Sequence, residues 1–141
     1  MRFMVIVKAN KELEAGVLPS TEELAAMTKF NEELVKAGVM LAGEGLHASS
    51  KGARVRFAGK QRTVIDGPFA ETKELIAGFW LWQVKSKDEA IAWLKRAPFQ
   101  EGEVEIRQVS ETSDCGDNVT PELRAQEERL RKQIAQRTAK K

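Results

Sequence analysis

The chain alternates short apolar runs with amphipathic stretches, a pattern typical of a mixed α+β domain. Two runs, Phe3 to Val7 and Phe79 to Val84, carry bulky apolar side chains at both odd and even positions. Such runs predict strands in the middle of a sheet, buried on both faces. Helices are predicted from Ser20 to Gly38 and from Ser86 to Pro98, because each stretch opens with a Ser-x-x-Glu capping box and continues with apolar residues at helical spacing.

The remaining apolar segments complete the predicted sheet. Val39 to Ala42 and Val104 to Val109 predict two further strands, and Arg54 to Phe57 with Arg62 to Ile65 predict a β-hairpin. The resulting order is βαββαβ with an inserted hairpin, the plan of a ferredoxin-like domain. Its two helices can cover only one face of the sheet. The other face is apolar and has no helix to cover it. We therefore expect a symmetric homodimer that packs sheet against sheet, of the dimeric α/β-barrel type.

Composition divides the chain into a ferredoxin-like domain over residues 1–110, a polar linker over 111–119 and a charged helix over 120–141. Thr120 can cap this helix, and Pro121 fits its first turn. The helix has a thin apolar stripe, which consists of Leu123, Leu130 and Ile134. The helix is a rival cover for the open sheet face, but so thin a stripe favours an arm that grips a partner.

The overall composition is that of one globular domain: 141 residues, 42% of them hydrophobic and 31% charged. The net charge is +2, and residues 119–141 hold seven Lys or Arg against three Glu. The glutamates in this segment, together with its lack of aromatic residues, argue against nucleic acid as a partner. The basic segment is interpreted as a solvated helix.

The N-terminus predicts neither a signal peptide nor a membrane span, because Lys8 interrupts the first apolar run. A cytoplasmic location without membrane contact is expected. Cys115 is the only cysteine and His47 the only histidine, so neither an intrachain disulfide nor a zinc site is expected. Gly43-Glu44-Gly45 completes neither a phosphate-binding loop nor a dinucleotide fingerprint. On these grounds no metal and no cofactor are predicted.

The segment from Asp66 to Glu74 concentrates charge in a tight turn. It reads Asp-Gly-Pro-Phe-Ala-Glu-Thr-Lys-Glu, and the apolar run from Leu75 to Trp82 follows directly. Gly67 admits positive φ and Pro68 fixes its own φ, so the backbone is expected to turn here. A charged turn anchored against a buried strand suits binding or catalysis.

This motif, together with Gly78-Phe79, resembles the DGPF branch of the YCII-related family. The resemblance extends from Met1 to about Val109 and includes the opening strand, Gly38-Val39 and the Ser86 to Pro98 helix. It implies a ferredoxin-like α+β domain that pairs as a dimer, with a site around a histidine and an aspartate. The resemblance names no substrate.

Asp66 and His47 are the candidate catalytic residues, and their pairing is carried over from the family resemblance. Asp66 ends a predicted strand near apolar walls, where a carboxylate can act as acid or base. The alternative is a turn residue whose side chain binds nearby backbone amides. His47 follows the second strand, and histidine is the side chain that changes charge near neutral pH. The alternative for His47 is an ordinary surface position.

The candidate ligand-binding residues of the motif are Gly67, Pro68, Phe69, Glu71, Lys73 and Glu74. Lys73 can bind an anionic substrate, while Glu71 or Glu74 accepts a second proton. The alternative is that Lys73 pairs with a carboxylate and orders the loop. Arg54 and Arg56 are interpreted as the solvent-facing side of the hairpin, with an anion-binding patch as the alternative.

The sequence leaves two functions open. The first is a cofactor-free enzyme that performs acid-base chemistry of the lyase or isomerase type on an unknown small molecule. The second is a non-catalytic dimer that binds a small ligand or has a regulatory role, with the charged turn as a structural clasp and the C-terminal helix as an arm. Trp80, Trp82 and Trp93 lie at core spacing and are interpreted as packing rather than as a ligand-stacking wall.

Overall fold

A computed structural model describes residues 1–71 and 74–139 of the chain. Its strands and helices are, in chain order, β1 (Arg2–Lys8), α1 (Lys11–Glu14), α2 (Thr21–Lys36), β2 (Met40–Gly45), β3 (Ala53–Ala58), β4 (Gln61–Asp66), β5 (Ile76–Gln83), α3 (Lys87–Leu94), β6 (Val104–Gln108) and α4 (Pro121–Ala139). Two 3₁₀ segments, Ser49–Lys51 and Thr112–Asn118, lie between them. No helix within the described ranges is both long and apolar enough to span a membrane.

The central sheet has four antiparallel strands in the order β2-β5-β1-β6. The two strands that are apolar on both faces, β1 and β5, are therefore the inner ones. The β3–β4 hairpin forms a separate two-stranded sheet in which Ala53 faces Asp66. This arrangement confirms the ferredoxin-like α+β plan with an inserted hairpin.

The hydrophobic core lies between the sheet and the helices. Side chains of β1 and β5 that point to this side meet Phe30 and Leu34 of α2, and the buried strand residues are Phe3, Val5, Trp80 and Trp82. Phe30 meets the Trp80 ring edge to face at 5.8 Å between centroids, and the indole Nε1 of Trp80 donates a hydrogen bond of 2.9 Å to Asn31 Oδ1. Trp93 packs against the same cluster. The interpretation of the tryptophans as packing residues is confirmed.

The opposite face of the sheet also carries apolar side chains. Met4 of β1 pairs with Leu81 of β5, and Ile6 pairs with Phe79. Ile6 is buried and Leu81 and Phe79 are half-buried, but Met4 is 37% exposed. The apolar second face is thus real, whereas the dimer that was expected to cover it stays a prediction.

Side-chain caps begin the helices at the expected residues. Ser20 Oγ accepts a hydrogen bond of 3.1 Å from Glu23 N, and Ser86 Oγ accepts one of the same length from Glu89 N. Helix α1 was not predicted, because four residues are too few to show helical periodicity. Asn10 caps it by accepting a hydrogen bond of 2.8 Å from Leu13 N.

Contacts within the chain divide it into two units, Met1–Val109 and Ser110–Lys141. The segment interpreted as a linker, 111–119, contains the 3₁₀ turns of Thr112–Asn118, with a kink at Gly116 where φ is 71°. Thr120 Oγ1 accepts a hydrogen bond of 3.2 Å from Leu123 N at the start of α4. The predicted cap of the C-terminal helix is therefore present.

Candidate active site

A cavity of about 460 Å³ lies among the loops of the first unit. Its polar lining residues are Glu14, His47, Ser49, Lys51, Arg54 and Glu74. Its apolar lining comes mainly from Leu46, Phe69, Leu75 and Ile76. The volume is within the range of small-molecule sites, and an apolar wall with a few polar groups is their usual composition.

Ser49 joins three separate segments around this cavity. Its Oγ donates a hydrogen bond of 2.6 Å to Glu14 Oε2 on α1, and its backbone N donates one of 3.1 Å to Glu14 Oε1. The same Oγ accepts a hydrogen bond of 3.0 Å from the backbone N of Phe69. A hydroxyl both donates and accepts, so one side chain ties α1 to the Asp66 to Phe69 turn.

We expect Ser49→Ala to lower the free energy of unfolding by about 2 kcal/mol, because it removes a hydrogen bond to a carboxylate and leaves the half-buried amide of Phe69 without an acceptor. Chemical denaturation measures the change. Ser50→Ala is the matched control, since Ser50 is exposed and should change stability by less than about 0.5 kcal/mol. Equal stability of the two variants would contradict the joining role of Ser49.

The turn itself packs tightly against the segment that follows β2. Gly67 N donates a hydrogen bond of 3.0 Å to Gly52 O, and the Gly67–Pro68 peptide bond is cis. A Cβ added at Gly67 would lie 1.7 Å from the backbone O of Ser49. Glycine is needed here because of this close backbone approach. Gly67 does not have the positive φ that the sequence allowed.

Arg54 stands at the rim of the cavity between two residues of the motif. Its guanidinium carbon lies 3.9 Å from the centroid of the Phe69 ring, and its Nη1 lies 3.3 Å from Glu71 Oε2. The stacked, paired guanidinium is restricted in position, yet its side chain is still 46% exposed. Arg54 can therefore present a cation to an anionic ligand in the cavity.

The pKa of Glu71 is held below its ordinary value of 4.5, first by a hydrogen bond from its own backbone amide and then by the hydrogen bond and positive charge of Arg54. A carboxyl group with a lowered pKa stabilises the fold at pH values above its unfolded pKa. That contribution is lost as the pH falls below 4.5 and through the folded pKa. Because Glu71 is exposed, the contribution is small.

We expect Arg54→Gln to raise the pKa of Glu71 part of the way toward 4.5, since the larger effect of the backbone amide remains. Carbon NMR of the side-chain carboxyl, followed against pH, measures this shift. Arg56→Gln removes the same charge two residues along the strand and should leave the Glu71 titration as it is. If neither variant changes the titration, Arg54 and Glu71 do not pair in solution.

The residues predicted from the sequence do not all meet at this cavity. His47, Phe69 and Glu74 line it, whereas Asp66 and Glu71 are exposed and are not among its lining residues. In the described ranges His47 and Asp66 share no hydrogen bond or ion pair, and their pairing stays a prediction. Lys73 lies outside the described residues.

Gly67 and Pro68 shape the turn beside the cavity without lining it. Two lining residues, Glu14 and Ser49, were not foreseen. They are 35 positions apart in the sequence, and no local pattern links them. Of the residues that the structure describes, no three His, Cys, Asp or Glu side chains are grouped so as to hold a metal ion.

The fold and the cavity together define a ferredoxin-like α+β protein with a small-molecule-sized site built from loops. The chain belongs to the family described as the YCII-related domain, which matches residues 1–113. The predicted family is confirmed. The finer assignment to the DGPF branch belongs to the proposal below.

Two similar proteins extend this comparison. An uncharacterised protein of Rhizobium meliloti (strain 1021) is 33% identical over 84 residues, which is 57% of this chain and 68% of the relative. A solved structure of 5-chloro-2-hydroxyhydroquinone dehydrochlorinase from Burkholderia phenoliruptrix, in complex with 2,5-dihydroxybenzoquinone, is similar with a TM-score of 0.46 and 18% identity. That likeness covers 80% of this chain and 97% of the dehydrochlorinase chain.

Proposed function

We propose that this protein is a cofactor-free enzyme of the YCII-related family, in its DGPF branch, which performs acid-base chemistry of the lyase or isomerase type on a small molecule. The observation that carries the proposal is the cavity, which brings the chain's only histidine to the same small space as Arg54 and Glu74. Its apolar wall excludes water from part of a bound ligand, which strengthens the polar interactions there.

Three polar residues of the cavity have roles that suit their surroundings. His47 is the proton-transfer group, since imidazole accepts and releases a proton near neutral pH. Arg54, stacked on Phe69, orients an anionic or carbonyl oxygen of the substrate. Glu14 already accepts hydrogen bonds from Ser49, so it is a positioning residue rather than a catalytic one.

Asp66 is proposed to assist His47. It directly precedes Gly67, whose amide is bonded to Gly52 in the same segment that carries His47. The two residues thus belong to a pair of hydrogen-bonded loops. The carboxylate is proposed to approach the imidazole when substrate binds and to fix its orientation.

The acting form is proposed to be a homodimer. The support is the second face of the sheet, where Met4 and Leu81 present apolar surface opposite the helices. A twofold interface lets one such face cover another.

A non-catalytic ligand-binding or regulatory dimer is the second candidate. The observation that favours it is the structural use of the Asp-Gly-Pro-Phe turn, in which Gly67 and Phe69 both donate backbone hydrogen bonds to the segment after β2. Such a turn is able to hold a binding cavity in shape without taking part in catalysis.

Hydrogen-deuterium exchange at carbon separates the two candidates without knowledge of the product. The protein is incubated in D₂O with a panel of small oxo acids and hydroxy acids, and proton NMR follows the loss of C–H signals. Acid-base catalysis accelerates the exchange or elimination of at least one compound. If compounds shift the ring signals of His47 and none of them exchanges, the enzyme proposal is wrong and the binding module takes its place.

A further inference from the structure

Helix α4 carries a mixed apolar and charged seam along one side. The seam consists of Leu123, Glu127, Leu130, Ile134 and Arg137. Successive members are four, three, four and three residues apart, which is the spacing of a two-helix coiled coil. The three apolar members are 48%, 51% and 65% exposed. The matched family covers residues 1–113, so it does not include this helix.

The charges of α4 are divided between its two halves. Residues 121–129 hold three glutamates against two arginines, whereas residues 130–138 hold three basic residues and no acidic one. A parallel pair of such helices would place like charges side by side. An antiparallel pair places the acidic half of one helix against the basic half of the other.

We propose that α4 pairs antiparallel with the α4 helix of a second copy of this chain. In the register that sets Leu130 against Ile134 of the second copy, Glu127 faces Arg137 of that copy. Twofold symmetry repeats both contacts, so the pair contains two apolar layers and two ion pairs. This single register places apolar residues against apolar residues and opposite charges against each other. A seam that only faced solvent would have no reason to show such a match.

The second unit also has room beside the acidic end of the seam. A groove of about 350 Å³ lies between the 3₁₀ segment and α4, and Val119, Leu123, Glu127 and Leu130 are among its lining residues. The basic end of a second α4 brings Ile134 and Arg137 to this groove. The residues that support this pairing all belong to the second unit.

Pulsed EPR on the full-length chain tests the pairing. A nitroxide is attached at a Lys132→Cys substitution in a Cys115→Ser background, on the side of α4 away from the seam. Two labels on paired helices should lie about 20 to 25 Å apart, given the helix diameter and interaxial distance. Glu127→Lys and Arg137→Glu should each weaken association by about tenfold and reduce this distance signal.

Charge reversal makes the test specific. The double variant Glu127→Lys/Arg137→Glu, and an equimolar mixture of the two single variants, should both restore the signal because opposite charges face each other again. Glu128→Lys and Arg129→Glu are matched controls at outward positions and should keep it. The proposal is overturned if the unreversed chain shows no such distance, or if the single variants behave as their controls do.

Discussion

Replacing His47 with Gln is expected to slow the carbon-proton exchange proposed for this protein by about 10²- to 10⁴-fold, the usual contribution of a general acid or base. Glutamine keeps much of the size and hydrogen-bonding capacity of the imidazole, but it cannot take up and release a proton near neutral pH. His47 is exposed at the cavity, and among the described residues its side chain forms no hydrogen bond or ion pair, so the variant should fold as the wild type does. The rate is followed by proton NMR in D₂O.

The same assay separates the roles of Asp66. If Asp66 orients the imidazole, Asp66→Asn slows exchange while thermal stability stays close to that of the wild type. If Asp66 only completes the turn, exchange persists and the melting temperature falls. If His47→Gln keeps full exchange activity, His47 is not the proton-transfer group and the proposed active site is wrong.

Replacing Gly67 with Ala is expected to be the most destabilising glycine-to-alanine change in the first unit. The new Cβ would lie 1.7 Å from Ser49 O and 2.6 Å from the carbonyl carbon of the same residue. Both atoms belong to the backbone, so the clash cannot be relieved by a rotamer change. The turn has to move, and the hydrogen bonds from Gly67 to Gly52 and from Phe69 to Ser49 weaken with it.

We expect Gly67→Ala to lower the free energy of unfolding by about 3 kcal/mol and the melting temperature by roughly 10 °C. Differential scanning calorimetry measures both. Gly45→Ala is the control, because a Cβ at Gly45 meets no atom within 4 Å and its φ is not in the left-handed region. A stable Gly67→Ala protein would show that the turn and the Ser49 segment are not packed as described.

Local patterns were enough to predict most of the fold. The two inner strands are apolar on both faces, and each main helix begins at a serine whose hydroxyl caps it. These signals depend on neighbours within a few residues, so they can be read from the sequence. The order of elements indicated the ferredoxin-like plan, because a βαββαβ chain with short connections has few ways to close a sheet.

The candidate site was predicted less completely. The motif from Asp66 to Glu74 contributes Phe69 and Glu74 to the cavity, which His47 also lines. The motif made Asp66 a candidate catalytic residue, yet its side chain is exposed and is not part of the cavity lining. Residues at strand ends are expected to lie near the same edge of a fold. The direction in which each side chain points depends on the register of its strand, which the sequence does not show.

The sequence by itself determined the family, the ferredoxin-like plan and the place of the charged turn, because each depends on periodicity, caps and a contiguous motif. Only the tertiary structure decided that Glu14 and Ser49 would hold that turn, and that Arg54 would stack on Phe69 at the cavity rim. The physical reason is that hydrogen bonds and ring contacts act over a few ångströms in space, whatever the separation along the chain. Residues brought together across 35 or 20 positions share no local signal from which their contact could be read.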